Sequence, residues 1–201
     1  TARPGAHGGS FGAAVLALIL ILITAAACGR LGNPEGWSGA AVEGDTLYIG
    51  TRQGELRALD RHTGETLWKF PLKGEERNRA VYGVPAVTED RLYLGGYDGF
   101  LYSLSHDGGS EWEERVGDSI VGGPLVVDNT LVVGSSDGNL YAFDTEKELE
   151  LWRFPVGAEV WSAPAAADGI VYFGSLDHNV YAVDLEEGSE VWRFETAGAV
   201  A

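Results

Sequence analysis

One unit recurs four times along this chain, and every copy closes on a tryptophan. The copies read LYIGTRQGELRALDRHTGETLW (47–68), LYLGGYDGFLYSLSHDGGSEW (92–112), LVVGSSDGNLYAFDTEKELELW (131–152) and VYFGSLDHNVYAVDLEEGSEVW (171–192). Aligned on their shared positions, they place glycines at Gly50, Gly95, Gly134 and Gly174 and tryptophans at Trp68, Trp112, Trp152 and Trp192. The period is 39–45 residues. A repeat of about 40 residues made of several short strands is the mark of radially arranged sheets.

The third copy shows the strands. Ile120–Val127 (IVGGPLVV) reads as a first strand with Pro124 near its start, a place held by Pro85 and Pro164 in two other copies and by Ala40 in the first. Proline donates nothing to a sheet ladder, so it marks an edge or the beginning of a strand. Asp128-Asn129 is a tight turn, Thr130–Ser135 a second strand, and Ser136-Asp137-Gly138-Asn139 a hairpin whose Asp-Gly pair suits a type I′ turn, as does Asp98-Gly99. Leu140–Asp144 is a third strand and Leu149–Val156 a fourth, around Trp152. Four strands per unit make one blade, so the fold class is all-β: a β-propeller of four-stranded antiparallel blades, about four of them present. Both faces of the strands are apolar, which predicts blades stacked face to face. The recurrent strand glycine weakens its own strand and therefore predicts close approach by a bulky side chain of a neighbouring blade.

Departures from the repeat are few. Asp177-His178 sets a non-glycine residue where a positive φ is expected. His62 and His106 fall in a different turn of the blade from His178, so the histidines are not predicted to converge and no metal site is expected. The first copy has a longer exit: Trp68 to Pro85 spans 17 residues against 12 in the next two, with the extra residues near Leu72–Arg79. That loop is the idiosyncratic one, and loops on rigid scaffolds carry function. Paired acids such as Glu75-Glu76, Glu113-Glu114 and Glu186-Glu187 fall in turns or outer strands and read as solvated edges.

The formal net charge is −16, from 14 Lys+Arg against 30 Asp+Glu. Such a surface repels phosphates and argues against nucleic acid as a partner. Residues 194–201 align with residues 154–161, so a fifth copy is expected to begin there, in a longer protein.

The N-terminal segment differs in kind. Gly8 to Gly29 carries no charge around AAVLALILILITAAA (13–27), with Arg3 before it and Cys28 after it. This is the layout of a secretory signal, residues 1–27. An uncleaved membrane helix is the alternative, because the apolar run approaches the roughly 20 residues that span a bilayer. Either way residues 30–201 are expected outside the cytoplasm and tethered to a membrane. Residues 28–36 then form a tether, and residues 37–201 the repeats, divided 37–80, 81–119, 120–159 and 160–201. Cys28 is the single cysteine, so no intrachain disulfide can form.

Two resemblances sharpen these readings. Ala25-Ala26-Ala27-Cys28 resembles a bacterial lipobox, with Ala25 where leucine is usual. The resemblance implies that Cys28 is lipidated. Ala58-Leu-Asp60-Arg-His-Thr63-Gly64-Glu-Thr-Leu-Trp68 resembles the tryptophan-docking motif of the pyrroloquinoline-quinone (PQQ) repeat propellers; Ala142…Asp144…Trp152 and Ala182…Asp184…Gly188…Trp192 repeat it, and Ser103…Ser105…Trp112 is a copy one residue shorter. The resemblance covers roughly residues 37–201. It implies that Trp68, Trp112, Trp152 and Trp192 wedge between blades, and that the whole ring holds seven or eight blades. One branch of that family comprises quinoprotein dehydrogenases, which bind PQQ and calcium through an acidic base, calcium ligands and often a cysteine pair; none of these can be placed here. The other branch comprises non-enzymatic propellers, including lipoproteins of outer-membrane β-barrel assembly that bind partner proteins.

The expected function is therefore a membrane-anchored extracytoplasmic scaffold that binds protein partners, not an enzyme and without a cofactor of its own. A PQQ-dependent dehydrogenase is the second expectation. A small-ligand or carbohydrate sensor is the third, resting on Trp37, Tyr82 and Trp161, which share one repeat position before the first strand (Val121 is the fourth) and would ring a central channel if that strand is innermost.

Overall fold

The computed structural model describes residues 38–51, 53–71 and 80–201. Residues 1–37 lie outside them, and with them the expected signal, Cys28, the tether and Trp37; so does the whole of the Leu72–Arg79 loop. The described chain forms sixteen strands in four antiparallel sheets of four. Blade 1 comprises β1 (Ala40–Glu43), β2 (Thr46–Gly50), β3 (Glu55–Asp60) and β4 (Thr66–Pro71). Blade 2 comprises β5 (Ala86–Val87), β6 (Leu92–Gly95), β7 (Phe100–Leu104) and β8 (Ser110–Arg115). Blade 3 comprises β9 (Leu125–Val127), β10 (Thr130–Gly134), β11 (Asn139–Asp144) and β12 (Leu149–Pro155), and blade 4 comprises β13 (Ala165–Ala167), β14 (Ile170–Gly174), β15 (Asn179–Asp184) and β16 (Glu190–Glu195). Each blade is a plain meander in chain order. Among the described residues no helix is long and apolar enough to cross a membrane.

The first strands are shorter than the sequence implies: β9 starts at Leu125, not Ile120. The reason is crowding. A Cβ on Gly122 would stand 2.4 Å from the Ser162 carbonyl oxygen, and one on Gly83 would stand 2.5 Å from the Gly123 nitrogen. The lead-in segments of successive blades thus touch backbone to backbone, which puts the first strands at the inner ends of the blades.

The hairpins differ from the type I′ expectation. Only the last turn residue has a left-handed φ, at Gly99 (81°) and Gly138 (83°), while the Gly138 amide donates to the Ser135 carbonyl at 3.3 Å. This is a type I turn closed by a left-handed residue, the three-residue hairpin. His178 holds the same place with φ 72°, so the expected positive φ is present on an exposed histidine.

Both faces of the central strands are buried, as their composition predicts. In blade 3, Leu140 and Ala142 join Val132, Val160, Val171, Phe173 and Val183 in the core shared with blade 4. Their neighbours Tyr141 and Phe143 join Tyr93, Leu101, Ile120, Leu131 and Val133 in the core shared with blade 2. A period of two along one strand therefore feeds two cores. Each fully buried aliphatic side chain contributes about 1.5–3 kcal/mol.

The strand glycines lie where those cores are tightest. A Cβ on Gly134 would sit 2.5 Å from Val160 Cγ1 and 2.7 Å from the Val160 carbonyl oxygen. Gly50 faces Val81 in the same way, Gly95 faces Ile120 and Gly174 faces Val200. A β-branched residue from the following lead-in is the bulky neighbour that the sequence calls for, and it occupies the space a side chain would need. Gly134→Ala is expected to cost about 1–3 kcal/mol by overpacking. Gly198→Ala, where nothing lies within 4 Å, should change stability by less than about 0.5 kcal/mol. Urea unfolding of the two variants checks the pair.

Candidate functional site: the tryptophan locks and the hairpin rim

Opposite each tryptophan stands a small residue, because the register pairs Ala58 with Trp68, Ser103 with Trp112, Ala142 with Trp152 and Ala182 with Trp192. One step later every blade has a β-bulge. A bulge bends its strand and sharpens the local twist. Trp68 reaches blade 2, where Nε1 donates to the His106 carbonyl at 2.8 Å and the ring covers Gly108 (φ 88°). Trp152 reaches blade 4 likewise, donating to the Leu185 carbonyl at 2.9 Å and covering Gly188 (φ 67°). A Cβ would stand 2.8 Å from the ring at Gly108 and 2.6 Å at Gly188. These turns need glycine twice over, for the left-handed backbone and for the indole.

Trp112 departs from this pattern. The turn position that should receive it in blade 3 is Glu148, which holds φ 56° with a side chain attached. A Cβ stands there where Gly108 and Gly188 are covered by indoles, and Trp112 meets the edge of Phe143 at 5.6 Å between centroids. Glu148 turns outward to Arg91 of blade 2 at 2.9 Å. An ion pair thus replaces an indole lock, beside a cleft of about 410 Å³ whose lining includes Arg91, Tyr93, Asn129 and Glu146. Trp192 sits 5.9 Å from Tyr172 and is 45% exposed.

The β2–β3, β6–β7, β10–β11 and β14–β15 hairpins share one rim with the lead-in segments. The amides of Tyr97, Ser136 and Leu176 donate to the carbonyls of Ala80, Ser119 and Glu159, while the amides of Ile120, Val160 and Val200 donate to Gly96, Ser135 and Ser175. The β6–β7, β10–β11 and β14–β15 hairpins are thereby laced to the crossovers on both sides. Inside each, the aspartate caps the turn: Asp137 accepts from the Asn139 amide at 3.1 Å and from the Tyr141 hydroxyl at 2.5 Å. Asp98 with Tyr102 and Asp177 with Tyr181 repeat the pair at 2.6 and 2.5 Å. Tyr141 is buried, with the Arg153 guanidinium 4.6 Å over its ring. Burial, and then the hydrogen bond to the Asp137 carboxylate, push its hydroxyl up to about 12.

Of the three aromatics picked out in the sequence, Trp37 is outside the described residues. Trp161 is 38% exposed and donates from Nε1 to Ser136 Oγ at 2.9 Å. Tyr82 is half-buried, with its ring edge-on to Tyr97 at 5.4 Å. Both therefore lie on the hairpin rim, and Tyr97 joins them; it shares the second turn position with Ser136 and Leu176, a variable site that the repeat alignment passes over. The histidines are separately engaged. His106 Nε2 bonds the Thr88 carbonyl at 3.1 Å and Nδ1 meets Tyr48 and Glu43 of blade 1, His62 meets Asp45, and His178 stands in its turn. Among the described residues no three His, Cys, Asp or Glu are grouped to hold a metal ion.

Comparison with known proteins places this architecture. A family model described as outer membrane protein assembly factor BamB matches residues 26–122 and 106–201. The chain belongs to this family. The outer membrane protein assembly factor BamB of Xanthomonas campestris pv. campestris is 30% identical over 45% of this chain and 25% of its own length. Quinohemoprotein alcohol dehydrogenase ADH IIB of Pseudomonas putida is 31% identical over 35% of this chain and 11% of its own. The crystal structure of BamB from Moraxella catarrhalis superposes with a TM-score of 0.70 at 24% identity, over 80% of this chain and 51% of that one, which shows the shared propeller fold. The chain thus spans a quarter of the curated assembly factor and about half of the crystallised one.

Two outcomes follow from the locks and the hairpins. Gly188→Ala is expected to cost about 2–3 kcal/mol, from the left-handed strain and the displaced Trp152 ring, whereas Glu148→Gly should stay within about 1 kcal/mol of the parent, since it relieves strain while losing the Arg91 pair. Thermal melts check both. For Tyr141, the folded value lies above the ordinary tyrosine value near 10. Its contribution is therefore full below pH 10 and is lost as pH rises toward about 12. Melts from pH 8 to 12 should show Tyr141→Phe flattening that alkaline loss.

Proposed function

We propose that this chain is part of a membrane-anchored extracytoplasmic propeller that acts as a non-enzymatic, protein-binding scaffold in outer-membrane protein assembly. The observation that carries the reading is the assembly-factor family model, which matches the chain twice, across residues 26–122 and 106–201. The hairpin rim supplies the binding surface. Tyr97 on its hairpin turn and Tyr82 and Trp161 on the adjoining lead-in segments present aromatic area on a rim where backbone hydrogen bonds tie turns to lead-ins. Rigid, amphipathic aromatics of this kind lose little entropy on docking and dominate interface energetics. With a net charge of −16, the chain favours partners whose facing surface is neutral or basic. Lipidation of Cys28, or retention of the apolar 13–27 segment, would hold the propeller at the membrane.

The test is co-purification of the outer-membrane assembly machinery from membranes that contain the full chain. Trp161→Ala together with Tyr97→Ala should cut recovery at least about tenfold with the melting temperature nearly unchanged. Undiminished recovery would argue against the rim. Anchoring is tested separately: Cys28→Ala should move the protein from the detergent to the aqueous phase on phase partition.

A quinoprotein dehydrogenase is the second reading, and the Pseudomonas putida relative favours it. A PQQ–calcium centre needs oxygen donors gathered about an ion. Among the described residues no three His, Cys, Asp or Glu side chains are grouped to supply them. PQQ binding by the intact protein, seen as a quinone absorbance that survives gel filtration, would favour this reading over the scaffold.

A further inference from the structure

On the face opposite the hairpin rim, the turns after β5, β9 and β11 enclose the cleft of about 410 Å³ between blades 2 and 3. Both blades are inner ones, each sharing a core with the blade before it and the blade after it. The volume falls within the roughly 300–1,000 Å³ of clefts that hold small organic ligands. Its lining is graded. Tyr93 is buried at the floor, Arg91, Val126 and Thr145 are half-buried on the walls, and Glu89, Asp90, Asp128 and Glu146 are exposed at the mouth.

The charges are one-sided. Arg91, the cation of the lining, is already paired with Glu148 at 2.9 Å. The four carboxylates at the mouth form no ion pair with a described cation, unlike Asp144, which holds Lys147 beside them. Among the described residues no three His, Cys, Asp or Glu are grouped to hold a metal ion, so the negative charge is spread along the mouth rather than focused on a point. Spread carboxylates above a partly apolar wall suit an organic cation with a methylene stem.

Ser103 is the second sign of a ligand. In the other blades the small residue facing the tryptophan is Ala58, Ala142 or Ala182. In blade 2 it is a serine, fully buried, whose Oγ makes no hydrogen bond. A buried hydroxyl without a partner is destabilising, so packing does not account for it. The register sets Ser103 beside Tyr93 on the face turned to blade 3, and the Ser103 and Thr145 hydroxyls are close enough to that of Tyr93 to act on its titration. Burial pushes the Tyr93 hydroxyl above its ordinary value, which keeps it protonated. The inner end of the cleft therefore offers neutral hydroxyls that can accept from a cation.

We propose that this cleft binds an aliphatic ammonium group, carried by a linear polyamine or by a lysine side chain, with the methylenes on Val126 and Tyr93 and the charge among Glu89, Asp90, Asp128 and Glu146. The site is separate from the rim, because the two lie at opposite ends of the strands.

The experiment titrates the full chain in a mild detergent with spermidine, with Nα-acetyl-lysine methylamide and with magnesium chloride, by calorimetry at physiological salt. One molecule of spermidine or of the lysine derivative is expected to bind per chain, with magnesium failing to compete. Tighter binding of spermidine identifies a free polyamine as the source, and tighter binding of the lysine derivative a partner's side chain. Asp128→Asn with Glu146→Gln should weaken binding at least about tenfold. Asp168→Asn with Glu186→Gln removes the same charges from the same repeat positions of blade 4 and should leave affinity within about twofold. Asp128 and Asp168 both hold a left-handed φ, of 50° and 52°, which asparagine tolerates, so both double variants keep the fold. No binding of either amine overturns the proposal. Equal weakening in the two double variants, or displacement by magnesium, overturns it too, since that is attraction to net charge alone. Each of these outcomes leaves the scaffold reading standing, because that reading is tested on the rim.

Discussion

Everything in this propeller depends on how closely one blade approaches the next. At each described interface a strand glycine receives a β-branched residue from the following lead-in: Gly50 with Val81, Gly95 with Ile120 and Gly134 with Val160. The missing Cβ admits the branched side chain, and the branched side chain fills what would otherwise be a void. Packing of this kind tolerates neither deletion nor addition of a methyl group. It also explains why both faces of the central strands are apolar, because every inner blade is sandwiched.

Above that invariant contact sits a second, adjustable one. Where the receiving turn has glycine, the tryptophan docks and donates to a turn carbonyl; where it has Glu148, the tryptophan is kept out and an Arg91–Glu148 ion pair bridges the blades. The half-exposed ion pair is worth less than a buried ring with a satisfied indole. The interface between blades 2 and 3 is thus held more by its core than by its lock, and it borders the 410 Å³ cleft.

Construction and recognition occupy different parts of each repeat. The Asp–Tyr pairs, the bulge and the tryptophan are common elements that hold the blade. The second turn residue of the hairpins and the lead-in position three residues before the proline of blades 2, 3 and 4 differ from blade to blade, and the turn position is held by a backbone bond that any residue but proline can make. Tyr97, Trp161 and Tyr82 stand at such places. Variation on a rigid rim is how one scaffold serves different partners.

The repeat period, the four strands per blade, the burial of both faces and a bulky neighbour for each strand glycine were all legible in the sequence, since they follow from alternation, turn residues and the cost of glycine in a strand. The hairpin type was not. Asp-Gly suits both a type I′ turn and a type I turn closed by a left-handed glycine, and the lacing of the hairpin to the adjacent crossovers selects the second. The fate of Trp112 was equally hidden, because it depends on residue 148 of another blade, 36 positions away. Tyr97 escaped notice since its partner, Tyr82, lies in a different segment of the blade. Sequence alone determines what is local and periodic. Tertiary structure decides which of the repeated positions meet, because a side chain's neighbours across an interface are set by the register of two sheets rather than by either one.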